Sequence, residues 1–216
     1  MTRTGLWIAA VALAVTPGVW AQQKNPTAVI ETSAGNLRCE LFQDKVPQAV
    51  ANFIGLAEGS KDWADPRTKT VRHGVPLYDG TVFHRVIPGM MIQGGDPAGT
   101  GAGDIGFKVN DEFVANLKFD RPGRLAYANS GPNTNAAQFF ITEAPNPAWD
   151  PCLNAGGCRR ADRKVPQGYG YTIFGQCDTS AISLVEWIAK AGRDLETDRP
   201  IRPVVIKHVT IVKPGA

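Results

Sequence analysis

Phe83-His84-Arg85-Val86-Ile87-Pro88-Gly89-Met90-Met91-Ile92-Gln93-Gly94-Gly95-Asp96 is the stretch that decides how this chain folds. Thr81 to Ile87 is rich in β-branched and aromatic residues, which suit a pleated, half-buried strand. Pro88-Gly89 breaks that strand, Met90 to Gln93 resume an extended run, and Gly94-Gly95 end it. Strand alternation puts Phe83 and Arg85 on one face and His84 and Val86 on the other. The returning run can then set Met91 and Gln93 close to Arg85. The outcome is one guanidinium, one neutral amide and flexible thioethers at the edge of an apolar surface. Such an array offers no activated nucleophile and no metal cage. It suits a substrate that is gripped and polarised rather than cut.

Working outward, two further blocks carry the same character. Gly123-Arg124-Leu125-Ala126-Tyr127-Ala128-Asn129-Ser130-Gly131-Pro132-Asn133-Thr134-Asn135-Ala136-Ala137-Gln138-Phe139-Phe140-Ile141 reads as two strands around a loop dense in turn residues. Gly170-Tyr171-Thr172-Ile173-Phe174-Gly175 reads as another strand. The three blocks, in this order, resemble the signature of the cyclophilins, a family of peptidyl-prolyl cis-trans isomerases. The resemblance covers roughly Thr27 to Val212.

Thr27 to Thr32 and Asn36 to Phe42 read as a hairpin around Ser33-Ala34-Gly35. Asp44-Lys45-Val46-Pro47 opens a helix whose Val46, Val50, Phe53, Ile54 and Ala57 recur near helical spacing, and Glu58-Gly59-Ser60 stops it. Thr179 or Ser180 caps a second helix, with Ile182, Val185, Ile188 and Ala189 on its buried face. Val204 to Val212 is a closing strand. Many strands and two clear helices argue a mainly β barrel with helices at its ends. The resemblance implies the same in finer form: a closed eight-stranded antiparallel β-barrel capped by two α-helices, its groove on the outer wall.

Composition bounds the reading without naming a function. The chain has 216 residues, enough for one sizeable core, and its net charge of +3 makes no case for nucleic acid. Residues 1–21 read as a signal peptide: Arg3 supplies the n-region, Leu6 to Val15 the apolar run, and Val19-Trp20-Ala21 the cleavage site. The apolar run is too short to span a bilayer comfortably, so no stable membrane insertion is expected after cleavage. Residues 22–26 read as a lead-in and 27–216 as the isomerase domain. The expected setting is periplasmic or secreted. Four cysteines fit it, because disulfides persist outside the cytosol. Cys152 and Cys158 bracket a loop flexible enough to close; Cys39 and Cys177 are either buried small hydrophobes or a second pair.

The resemblance also implies roles, residue by residue. Arg85 is the catalytic donor, with Gln93 and Phe140 beside it. Met91 and Phe140 form the floor for the proline ring. Gln93 and Gln138 brace the substrate and Arg85, and Ala128 and Asn129 offer edge backbone groups. Tyr171 stands where many relatives have histidine, and Met90 where many have phenylalanine. Trp149 or Leu153 supplies the apolar lip. His84, on the opposite face from Arg85, reads as a hydrogen-bonded core histidine. The glycine-rich run Pro97 to Gly106 borders the site rather than cradling phosphate, since no Gly-Lys-Ser/Thr follows it.

No cofactor and no metal are expected; the expected partners are proline-containing polypeptides, and the protein is expected to act as a monomer. Cyclosporin is expected to bind with reduced affinity, because the Cys152–Cys158 segment can displace Trp149 and Met90 replaces a rigid aromatic. Two rivals stay open at this point. One is a non-catalytic proline-binding module or chaperone on the same fold. The other is thiol chemistry at Cys152, Cys158 or Cys177 with His84 or His208.

Overall fold

The structure, a computed structural model, describes residues 25–160 and 163–214. The signal-peptide residues, and all but Asn25 and Pro26 of the lead-in, lie outside the described residues. Asn25 is tied down: its amide donates to Glu40 Oε1 at 3.0 Å and accepts from the Asp44 N–H at 3.3 Å.

The first hairpin forms where the pattern predicts it. Strands β1 (Thr27–Thr32) and β2 (Gly35–Leu41) pair antiparallel, Thr27 opposite Glu40 and Thr32 opposite Gly35. Alternation sends Leu37, Cys39 and Leu41 inward and leaves Asn36, Arg38 and Glu40 outside. Helix α1 (Pro47–Glu58) begins at its proline, which costs nothing in a first turn, and ends on Gly59 in the left-handed conformation at φ 73°. A short pair follows, β3 (Trp63–Ala64) with β4 (Val71–Arg72). Trp63 is buried and its indole donates to Val75 O at 2.9 Å.

Strands β5 (Arg85–Ile87) and β6 (Met91–Gly94) form the next hairpin around Pro88-Gly89. They are followed by β7 (Arg124–Tyr127), β8 (Phe139–Thr142), the short pair β9 (Cys158–Arg159) and β10 (Lys164–Val165), and β11 (Ile173–Cys177). Helix α2 (Thr179–Ala189) is capped one residue earlier than expected: Asp178 Oδ1 accepts from the Ala181 N–H at 2.9 Å and the Ser180 hydroxyl at 2.7 Å. A carboxylate is the better acceptor there, since it also meets the positive end of the helix dipole. Strand β12 (Ile206–Val212) completes the order.

Eight strands make one antiparallel sheet in the order β12-β1-β2-β11-β7-β8-β6-β5. The sheet curls into a half-barrel but does not close, which corrects the closed barrel that the resemblance implies. Among the described residues its two ends are linked by one isolated bridge, Val82 opposite Val205, made by Phe83 N–H to Val204 O at 3.0 Å and Ile206 N–H to Thr81 O at 2.8 Å, with Gly80 N–H to Ile206 O at 2.9 Å beside it. The physical cause lies in the edges themselves. β5 is only three residues long because ladder pairing starts at Arg85 and not at Thr81, and the facing segment carries Pro200 and Pro203, which lack the N–H a ladder needs.

The concave side is filled by aromatic rings. Phe53 of α1 meets Tyr78 at 5.0 Å, Phe174 at 5.2 Å and Phe139 at 5.8 Å between centroids. The polar tips of this core are satisfied: Tyr127 Oη donates to Ala49 O at 3.0 Å and accepts from Asn52 at 2.8 Å, and Tyr78 Oη donates to Ala137 O at 3.1 Å.

Two disulfides join the described cysteines, Cys39–Cys177 and Cys152–Cys158. The first links directly opposed residues of β2 and β11. No cysteine is free, so a thiol nucleophile is not available to the second rival chemistry.

Candidate active site

The site begins as a row across the sheet. Register places Arg85 of β5 opposite Gln93 of β6, Gln93 opposite Phe140 of β8, and Phe140 opposite Ala126 of β7. Residues opposed in register share a face, so Arg85, Gln93 and Phe140 emerge side by side. Phe139 points the other way, into the aromatic core, and alternation alone makes this division. Met91, two residues before Gln93, joins the same face.

These side chains open on a cavity of about 550 Å³, whose wall also includes Ala128, Asn129, Trp149 and Tyr171. Its floor is a ring cluster. Phe140 stacks on Phe119 at 5.8 Å and meets Trp149 and Tyr171 edge-on, each at 5.2 Å. Phe119 belongs to none of the blocks read from the sequence, and its place in the floor appears only when the rings are brought together.

Eight of the eleven expected residues therefore line one cavity. Gln138 lies just beyond it, bridging two walls: it accepts from Gln93 Nε2 at 3.0 Å and donates to Gly101 O at 3.0 Å. Met90 and Leu153 do not line it. Met90 is in the β5–β6 turn, out of phase with Met91 and Gln93, and packs against the core. Leu153 projects to solvent from the disulfide loop. Of the two residues expected at the lip, Trp149 lines the cavity and Leu153 does not.

Two bracing roles differ from expectation. Arg85 is held by Asp198, whose Oδ2 lies 3.4 Å from the guanidinium, and not by Gln93 or Gln138. The Ala128 N–H is already bonded to Gln138 O at 2.9 Å, and the Asn129 side chain to Gly170 O at 2.9 Å.

The glycine-rich loop forms one wall because Asp96 folds it. This carboxylate is fully buried and accepts N–H bonds from Ala98, Thr100, Gly101 and Gly103 at 2.6–3.3 Å. A Cβ at Gly103 would fall 1.9 Å from Asp96 Oδ1, so only glycine fits there. Thr100, Gly101 and Ala102 thereby reach the cavity, as do Thr197 and Arg199 from the other side.

His84 is buried as expected, with its ring at the cavity wall; among the described residues neither ring nitrogen has a partner at full hydrogen-bond geometry, and the Val82 backbone gives it only weak polar support. Burial holds its imidazole below the ordinary value of 6.5, with nearby Asp96 opposing and Arg199 and Arg85 assisting. The sign follows from linkage. The unfolded chain takes up this proton first, so the stability present above about pH 6.5 declines as the pH falls toward the lowered folded value. Urea midpoints of the wild type should therefore drop between pH 7 and pH 5 by more than those of His84→Gln. Equal drops would show that His84 titrates freely.

A family model described as cyclophilin type peptidyl-prolyl cis-trans isomerase/CLD matches residues 27–211. The peptidyl-prolyl cis-trans isomerase A of Mycobacterium tuberculosis (strain ATCC 25618 / H37Rv) is 46% identical over 186 residues, covering 86% of this chain and 91% of that protein. The peptidyl-prolyl cis-trans isomerase B of Streptomyces anulatus is 41% identical over 185 residues, covering 85% and 95%. Among solved structures, a Cryptosporidium parvum cyclophilin type isomerase crystallised in the presence of the dipeptide Ala-Pro is similar. Its TM-score is 0.64 at 30% identity, covering 88% of this chain and 99% of that one.

Proposed function

The chain belongs to the cyclophilin-type peptidyl-prolyl cis-trans isomerases, and from that premise we propose how its own residues turn the X-Pro bond. Rotation is slow because amide conjugation must be broken, at about 18–20 kcal/mol, so uncatalysed exchange takes roughly 10–100 s. At the twisted transition state the nitrogen regains its lone pair and the carbonyl loses dipole. A cationic donor aimed at that nitrogen binds the twisted form better than either planar isomer, and only such differential binding speeds the step. Arg85 is that donor. Its five N–H groups can hold the proline carbonyl while one meets the nitrogen. Met91 and Phe140 seat the ring on an apolar floor, which favours the less polar twisted amide. Gln93, tied to Gln138, positions the substrate backbone.

The observation that carries this reading is the register row Arg85, Gln93 and Phe140 opening on one aromatic-floored cavity. A protease-coupled assay on a proline tetrapeptide tests it and separates catalysis from a binding-only module. The site uses no group that titrates near neutrality in its neutral-His84 state. The rate should therefore be flat from about pH 6.5 to pH 8. A bell-shaped profile in that window would mean acid–base chemistry.

The proposed substrates are exported polypeptides, and the proposed compartment is periplasmic or extracellular. The apolar leader and the two disulfides support this, since such bonds persist in oxidising surroundings. The cavity is complete within one chain, which supports a monomeric enzyme. Cyclosporin is proposed to occupy the same cavity. Reduced affinity is proposed with it, because Met90, which stands where many relatives have a rigid aromatic, leaves the cavity wall to Trp149. Trp149→Ala should weaken cyclosporin about tenfold or more, as loss of an aromatic anchor does. Calorimetry showing unchanged affinity would remove Trp149 from that role.

A further inference from the structure

We propose that Asp198 is a positioning residue for Arg85, an inference that rests on the catalytic reading of Arg85 above. Three independent features converge on it. The first is the ion pair: Asp198 Oδ2 lies 3.4 Å from Arg85 Nη2, while Oδ1 lies 3.3 Å from Arg193 Nε. One carboxylate thus stands between two guanidiniums. The second is main-chain pairing. Asp198 O accepts from the Val86 N–H at 2.9 Å, so the residue is docked on the exposed edge of β5 immediately beside Arg85. The third is backbone conformation. Asp198 sits at φ 58°, a left-handed state that few residues other than glycine, asparagine and aspartate adopt and that the surrounding turn holds in place.

The surroundings do impose it. Gly192 to Ile201 form a narrow turn, closed by the Ile201 N–H on Gly192 O at 2.8 Å and the Asp194 N–H on Arg199 O at 2.9 Å. Asp194 Oδ1 braces the inside, accepting from the Thr197 N–H at 2.8 Å and its hydroxyl at 2.9 Å. The turn is therefore stiff where it carries Asp198. The Arg85 side chain, by contrast, is 45% exposed and long. Free in water it would occupy many rotamers, and the twisted amide would have to order it at the moment of reaction. A fixed carboxylate at one corner of the fork removes much of that disorder beforehand. Arginine keeps its charge throughout, and four of its five N–H groups remain for the substrate.

Glycine separates this role from a merely structural one. Asp198→Gly removes the carboxylate but suits the left-handed backbone and keeps the carbonyl that Val86 uses. The expected result is an unchanged or raised melting temperature with kcat lowered about three- to tenfold and KM little moved. Asp198→Asn, which also tolerates this conformation and keeps one neutral acceptor, should fall between Asp198→Gly and wild type; it carries the test if the glycine variant fails to fold. Nitrogen-15 spectra should show the Arg85 side chain losing its restricted rotation in both variants. Arg85→Ala is assayed beside them. If Arg85→Ala keeps activity, the catalytic reading itself fails. If Arg85→Ala is inactive while the Asp198 variants retain wild-type kcat and a restrained Arg85, the inference about Asp198 is overturned.

Discussion

Arg85→Ala should lower kcat/KM by about 100-fold or more, the cost of removing one well-aimed donor from a developing lone pair. The fold should survive. Arg85 lies on a half-exposed edge strand, and its ion pair with Asp198 is long, so the change in stability stays within about 1 kcal/mol. Arg85→Lys keeps the charge and loses the planar fork; it should recover only a small part of the rate. A coupled assay run with circular dichroism separates the two effects. A lysine variant with near-wild-type activity would mean that charge alone suffices and that the fork plays no part.

The second large effect concerns stability. Cys39 and Cys177 are 138 residues apart in sequence and directly opposed across β2 and β11, both buried. A cross-link closing so long a loop removes much unfolded-chain entropy, roughly 5 kcal/mol on the entropic model. Cys152–Cys158, six residues apart, removes only about 2 kcal/mol. The double variant Cys39→Ala/Cys177→Ala should therefore unfold at much lower urea than Cys152→Ala/Cys158→Ala, while both retain the Arg85 row. Equal losses would mean that the long-range bond acts through something other than the unfolded chain. For a protein folding in an oxidising compartment, the same bond ties the middle of the sheet together independently of the cavity.

Local pattern carried much of this molecule. Alternation in Asn36 to Leu41, helical spacing around Phe53, and the Pro88-Gly89 break each act over a few residues; the first hairpin and helix α1 formed near their expected bounds, whereas the strand expected over Thr81 to Ile87 pairs only from Arg85. The close approach of Met91 and Gln93 to Arg85 was legible for the same reason, since a tight hairpin fixes its own register. What the pattern missed depends on long-range pairing. Whether the sheet closes is decided by two distant edges, β5 and the segment before β12, and by prolines that look harmless in isolation. Cys39 and Cys177 could not be matched until β2 and β11 were neighbours. Asp198 is 113 residues from Arg85 in sequence and belongs to no motif. Alternation alone places His84 in a satisfied core, yet its ring lies at the cavity wall, and among the described residues neither nitrogen has a partner at full hydrogen-bond geometry.

Twisted-amide stabilisation makes a claim about the transition state that a binding constant cannot reach. Exchange spectroscopy on an isotope-labelled proline peptide measures both quantities at once, the cis-trans exchange rate on the protein and the affinity of the planar isomers. With wild type and Arg85→Ala compared at saturating peptide, exchange should slow by about 100-fold or more while peptide affinity changes only a few-fold. Loss of affinity in proportion to loss of exchange, or exchange that persists without Arg85, would contradict the account.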